Sequence, residues 1–70
     1  MERQSVASSN VAAVGYDPDK QEMEVEFTNG ATYLYKDVPP ETHAALMNAS
    51  SIGSYIYHNI RGKHATTRIS

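Results

Sequence analysis

The feature that most constrains the fold is Glu22-Met23-Glu24-Val25-Glu26-Phe27, followed by Asn29-Gly30 and Tyr33-Leu34-Tyr35. Apolar Met23, Val25 and Phe27 alternate with three glutamates, which is the period of a half-buried strand. Asn-Gly tolerates positive φ at both places and marks a hairpin. A returning strand then carries Tyr33 and Tyr35 on one face.

Two registers fit this turn. A two-residue Asn29-Gly30 turn pairs Phe27 with Thr32 and Val25 with Leu34, leaving Tyr33 and Tyr35 on the outer face opposite Glu26 and Glu24. A three-residue loop, Thr28-Asn29-Gly30 with Gly30 in a bulge, pairs Val25 with Tyr33 and Met23 with Tyr35. The second makes one apolar face instead of two mixed ones, and it is the expected register. Outward tyrosines would be a binding platform; inward ones serve mainly as core.

Upstream, Val11 to Tyr16 reads as a strand, and Asp17-Pro18-Asp19-Lys20 as a type I turn. That turn pairs Tyr16 with Gln21, Val14 with Met23 and Ala12 with Val25. Downstream, Pro40 at a first helical position and Glu41 beside it start a helix with an apolar stripe of Thr42, Ala45, Leu46 and Ala49. Ser50 or Ser51 caps a second helix, lined inward by Ile52, Tyr55, Ile56 and Ile60 and stopped by Gly62. The expected architecture is α+β: a three-stranded antiparallel meander, then two short helices packed on one face (β-β-β-α-α). Residues 1–9 are read as loose chain, 10–62 as the domain, and 63–70 as a basic tail without a strong pattern. So little helix covers only one face of the sheet, and the other must be wet or bind something.

Seventy residues make one domain with a thin stability margin, since a chain of this size buries only about 60% of its unfolded surface. It has no cysteine, which removes thiol catalysis and thiolate metal sites and suits a reducing compartment. No leader sequence or membrane-spanning run is apparent, so a cytoplasmic location away from membranes is expected. Charge is unevenly placed: residues 1–50 carry eight acids against Arg3, Lys20 and Lys36, leaving −5, whereas residues 51–70 carry Arg61, Lys63 and Arg68 and no acid.

Catalytic and metal chemistry find little footing. His43, His58 and His64 lie on separate elements without ligand spacing, and no serine sits on a strained turn near a histidine and an acid. No catalytic residue, metal or cofactor is expected, and the chain reads as a non-enzyme. A helix start at Ser50-Ser51-Ile52-Gly53 offers free N–H groups to an anion, although ordinary capping explains the same residues. Two binding roles remain. One is nucleic-acid recognition by a C-terminal face joining Tyr57, Arg61, Lys63 and Arg68, with Tyr33 and Tyr35 as further aromatic candidates. Tyr57 points away from the isoleucine stripe toward Arg61, four residues on. The other is a protein-interaction module, a homodimer among the options, motivated by many tyrosines and isoleucines in so short a chain.

The residues also resemble a known family. Ser8-Ser9-Asn10, Val14-Gly15-Tyr16, Val25-x-Phe27, Asn29-Gly30, Tyr33-x-Tyr35, Val38-Pro39, Ala49-Ser50-Ser51-x-Gly53, Tyr55 and Asn59-x-Arg61 occur in the order of the KTSC domain. That short module is named for its place at the C-terminus of some lysyl-tRNA synthetases and also occurs as a stand-alone bacterial or phage protein. The resemblance implies RNA binding, with Tyr33, Tyr35 and Arg61 as the residues concerned. A free-standing chain of this kind is equally compatible with a phage accessory protein acting on a host protein.

Overall fold

In the computed structural model, which describes residues 1–70, five strands form one antiparallel sheet in chain order: β1 (Arg3–Ser5), β2 (Val11–Asp17), β3 (Glu22–Phe27), β4 (Thr32–Tyr35) and β5 (Thr66–Arg68). Helix α1 (Pro40–Met47) follows β4, and α2 (Ile52–Tyr55) runs directly into a π-helical turn (Ile56–Ile60). No helix is long and apolar enough to cross a membrane.

The β3–β4 turn takes the three-residue form. Phe27 N–H donates to Ala31 O at 2.8 Å, Gly30 has φ +93°, and Val25 faces Tyr33 while Met23 faces Tyr35. Asn29 Oδ1 accepts from Ala31 N–H at 3.0 Å, so the asparagine side chain holds the loop that its backbone begins. Both tyrosines therefore project to the helix side of the sheet.

The β2–β3 register lies two residues from the expected one. Tyr16 faces Met23 and Val14 faces Val25, with Asp17 and Glu22 closing the ladder. Asp17 Oδ1 accepts from the N–H groups of Asp19 and Lys20, as an aspartate at the first turn position does, while the ladder closes at Asp17 and Glu22, one residue later on each strand than expected. Gln21 takes the left-handed conformation (φ +54°) that ends the loop. A two-residue slide preserves parity, so the apolar faces still coincide. Ala12, expected opposite Val25, falls instead in an irregularity between Val11 and Ala13, which keeps Val11 on the core face opposite Phe27.

Two expectations at the ends of the chain are corrected: the sheet has five strands, not three. Residues 3–5 are not loose but pair with β2, and residues 66–68 of the tail pair with β4. A third strand alone would leave the N–H and C=O groups of β4 as a bare edge. Thr66-Thr67-Arg68 satisfies them, helped by Lys36 N–H donating to Ala65 O at 2.9 Å and by contact of His64 Nδ1 with Lys36 O at 3.1 Å. Neither edge strand alternates apolar with polar residues, so neither carries a periodic signal.

The core is Val11, Val14, Met23, Val25, Tyr35, Val38, Leu46, Ile52, Ile56 and Ile60. On α1 only Leu46 is fully buried, flanked by half-buried His43 and Met47; Ala45, expected inward, is exposed. Asn48 closes this helix by donating from Nδ2 to Ala44 O at 2.8 Å. Ser51 caps α2, its Oγ accepting from Ser54 N–H at 3.3 Å. Ile52, Ile56 and Ile60 repeat every four residues, which runs ahead of the about 3.6 residues of an α-turn. The wider π-turn, closed by Arg61 N–H to Ile56 O at 2.8 Å, brings Ile60 back beneath Ile56.

The outer face of the sheet has its own economy. Arg3, Gly15 and Glu24 stand in one row across three strands. Because Gly15 has no side chain, Arg3 reaches over it, its Nε 3.1 Å from Glu24 and its Nη1 3.6 Å from Glu26. A Cβ at Gly15 would meet Glu2 O at 2.9 Å and Arg3 Cγ at 3.1 Å. Gly15→Val should therefore lower stability by about 1–3 kcal/mol and speed hydrogen exchange at β1. Urea unfolding and exchange measured together check this; unchanged protection at β1 would refute the packing argument.

His43 lies flat on Tyr16, ring centroids 4.3 Å apart and planes within 5°. Tyr16 donates its hydroxyl to Val38 O at 2.6 Å. Burial pushes the His43 pKa below its ordinary value. The unfolded chain thus takes up this proton near pH 6.5, and the folded chain only at lower pH. Between those points the unfolded state binds more protons, so stability should fall as pH drops below about 6.5. His43→Phe keeps the ring stack and should flatten that part of the pH–stability curve; equal slopes for both proteins in urea titrations would contradict it.

Candidate functional site

On the helix side, an open cleft of about 500 Å³ lies between the β3–β4 hairpin, the start of β2 and the α2–π segment. Its walls bring together Tyr33, Tyr35, Tyr57, Arg61 and Gly53 from the sequence reading with Asn10, Phe27, Asn29, Ile56 and Thr66. No aspartate or glutamate lines it, although the chain holds eight acids.

Each wall is positioned by local structure already described. The inward register of β4 puts Tyr35 at the floor, only 4% exposed, and half-buried Tyr33 beside it. The ring of Phe27 meets that of Tyr33 edge to face at 5.7 Å and 78°, which braces the sheet side. The opposite wall is the π-turn. It leaves Tyr57 63% exposed and places the Arg61 guanidinium 5.6 Å from the centre of the Tyr57 ring, a cation–π distance. His58 meets Tyr57 edge to face at 5.3 Å. At the rim, Thr28 fixes Asn10 by donating from its N–H to Asn10 O at 2.9 Å, and Ser8 Oγ accepts from Asn10 N–H at 3.3 Å. The Asn10 side chain passes close to Gly53, within 3.5 Å of where a Cβ would stand.

Burial is the main cause of a raised Tyr35 pKa, with Tyr33 adding to it and the nearby Arg61 charge opposing it. The Tyr35 hydroxyl therefore stays protonated at neutral pH and remains a hydrogen-bond donor. Arg61 is a permanent cation. The cleft thus offers aromatic rings, two carboxamides, hydroxyls and one guanidinium, a set suited to a planar ligand bearing an anionic or carbonyl oxygen.

The other candidates fall around the cleft. Arg68 is the cross-strand neighbour of Tyr33 and projects from the same side of the sheet, its Nε donating to Ser70 O at 3.0 Å. Lys63 sits in the exposed turn after the π-segment and is not part of the wall. Of the proposed helix-start group, Gly53 lines the cleft, the Ser51 hydroxyl is engaged in capping, and Ser50 is exposed outside it. The three histidines lie apart: His43 on Tyr16, His58 on Tyr57 and His64 against Lys36. Sequence reasoning missed Asn10, Asn29, Phe27 and Thr66 as wall residues. Asn29 had a signal, but its turn role absorbed it; Asn10 appeared only at the start of the domain, within the Ser8-Ser9-Asn10 motif, and Thr66 fell in the tail read as patternless.

The whole unit has close counterparts. A 42% identical protein of Stutzerimonas stutzeri matches over 64 residues, 91% of this chain and 90% of that one. A protein of Tsukamurella paurometabola is 49% identical over 53 residues, 76% of this chain and 79% of its own. The crystal structure of a KTSC domain protein from Yersinia pestis superposes with a TM-score of 0.93 at 38% identity, covering 99% of this chain and 97% of that one. The family model of the KTSC domain matches residues 7–64, from the segment before Asn10 to the turn beyond Arg61. With the five-stranded sheet, its helical cover and this match, the chain belongs to the KTSC domain family.

Proposed function

We propose that this chain is a non-enzymatic binding module whose aromatic cleft takes single-stranded nucleic acid. The observation that carries the reading is the convergence of Tyr33, Tyr57 and Arg61 on one acid-free cleft. Rings that line an open groove offer stacking surfaces to bases, and a guanidinium within it offers a phosphate contact. Arg68 beside Tyr33 and Lys63 beyond the π-turn add long-range attraction for a polyanion. The glutamates of β3 lie on the opposite face of the sheet, held in part by Arg3, away from a strand in the cleft.

A protein partner is the second reading, and it falls on the same cleft. The outer sheet face is a poor site for a second copy, since Glu24 and Glu26 occupy it and each edge strand has only three residues.

Titration of labelled single-stranded RNA and DNA should give salt-sensitive binding in the micromolar range. Tyr57→Ala should weaken it by about 1–3 kcal/mol, the worth of one base stack, and leave folding intact because Tyr57 is exposed. Glu24→Gln should leave affinity unchanged. Absence of any salt-sensitive binding, or equal losses from Tyr57→Ala and Glu24→Gln, would refute the proposal and turn attention to a peptide ligand.

A further inference from the structure

We infer that the cleft is built for one nucleotide unit, its phosphate held between Arg61 and the Tyr35 hydroxyl, and not for a strand laid along a cationic track. This rests on the nucleic-acid reading of the same cleft and narrows it to a ligand class, a nucleoside monophosphate or a single nucleotide of a longer chain.

Size is the first argument. A space of about 500 Å³ falls within the range of small-molecule sites, whereas strand-binding grooves run over several nucleotides. Charge is the second. Arg61 is the only cation in the wall; Lys63 lies outside it, and Arg68 spends its Nε on Ser70 O. One guanidinium can neutralise one phosphate.

Tyr35 supplies the third and most specific argument. Its ring is core, in contact with the other buried apolar side chains, and the residue is 96% removed from solvent, the complement of its 4% exposure. A buried phenol ordinarily finds an internal acceptor, as Tyr16 does at Val38 O. The Tyr35 hydroxyl has no hydrogen-bond partner within the protein, yet it is not sealed away, because no fully buried polar side-chain atom lacks a partner. Its oxygen is therefore open to the cleft that the residue lines. Arg61 lines the same cleft as Tyr35, so the two donors serve one region. The Asn29 amide is half spent, its Oδ1 holding Ala31 N–H, which leaves its Nδ2 hydrogens as donors. The Asn10 amide makes no side-chain hydrogen bond within the protein and adds both a donor and an acceptor, as reading a base edge requires.

Calorimetric titration of the full chain with AMP, adenosine, inorganic phosphate and an oligoadenylate about twelve nucleotides long separates the possibilities. AMP should bind within about tenfold of the oligomer, and the oligomer should show a log–log salt slope near −0.7, the value for one phosphate on a single strand. Adenosine and phosphate alone should each bind at least about tenfold more weakly than AMP. Tyr35→Phe should lower AMP affinity about tenfold or more, the worth of one hydrogen bond to a charged group, and leave adenosine affinity and unfolding midpoint unchanged. Were that variant to lose its fold, Arg61→Gln at an exposed position carries the same comparison. Oligomer binding with a slope of two or more phosphates and no AMP binding would overturn this inference and leave the proposed function standing. An AMP affinity indifferent to both substitutions would also overturn it. Silence toward both AMP and oligomer would remove the proposed function itself.

Discussion

The rest of the structure depends on the parity of one turn. With Thr28, Asn29 and Gly30 in the loop, every side chain of β4 is assigned to a face by the residue it meets on β3. Tyr33 and Tyr35 then join Val25 and Met23 on the helix side, and Thr32 and Leu34 go outward with Glu26 and Glu24. One residue fewer in the loop would exchange the faces. Tyr35 would leave the core, a large apolar gap would open over Met23, and the cleft would lose its floor. Gly30 at φ +93° and the Asn29 side chain bonded to Ala31 N–H are the local chemistry that chooses. Folding and site thus share a single determinant.

A chain this small has little apolar area to spare, and the same residues serve packing and site. Tyr35 fills core volume with its ring and presents an oxygen at the surface. Ile56 is buried at the base of the π-turn and lines the cleft as well. The π-turn shows the same coupling. It returns Ile60 to the core and leaves Tyr57 on the exposed side with Arg61, four residues on, beside it. A regular α-turn would place Ile60 further around the axis from Ile52 and loosen its place in the core.

Legibility followed the strength of the periodic signal. β3 was readable because apolar residues alternate in it, β2 and β4 because turn residues set them beside it, and both helices because proline, serine caps and spaced isoleucines announce them. Their register was readable only where turn chemistry was decisive. Asn29-Gly30 allowed a parity argument, whereas Asp17 to Gln21 admits closures two residues apart with identical faces. The edge strands were illegible for a physical reason: Arg3–Ser5 and Thr66–Arg68 owe their order to unpaired backbone groups on β2 and β4, a demand that exists only once the sheet is built. Tyr57 and Arg61 were visible as an i, i+4 pair. Their meeting with Tyr33, Asn10 and Asn29 was not, because residues so distant in the chain converge only through the packing of the helices on the sheet.

The charges argue the same division of labour from the opposite side. The six cations and eight acids leave a net −2, a poor composition for attracting an anion. The fold sorts them. Arg3 is drawn over Gly15 to the glutamates of β3, so the acidic stripe is partly neutralised on the face away from the cleft. Arg61 makes no ion pair and stands where no carboxylate lines the wall. An exposed pair such as Arg3 with Glu24 adds little stability, on the order of 0–1 kcal/mol. Its consequence is placement: with Arg3 drawn to the outer face beside the glutamates of β3, Arg61 faces the cleft from a wall without carboxylates. Screening at physiological salt acts over about 8 Å, so charges on the far face of the sheet count for little in the cleft.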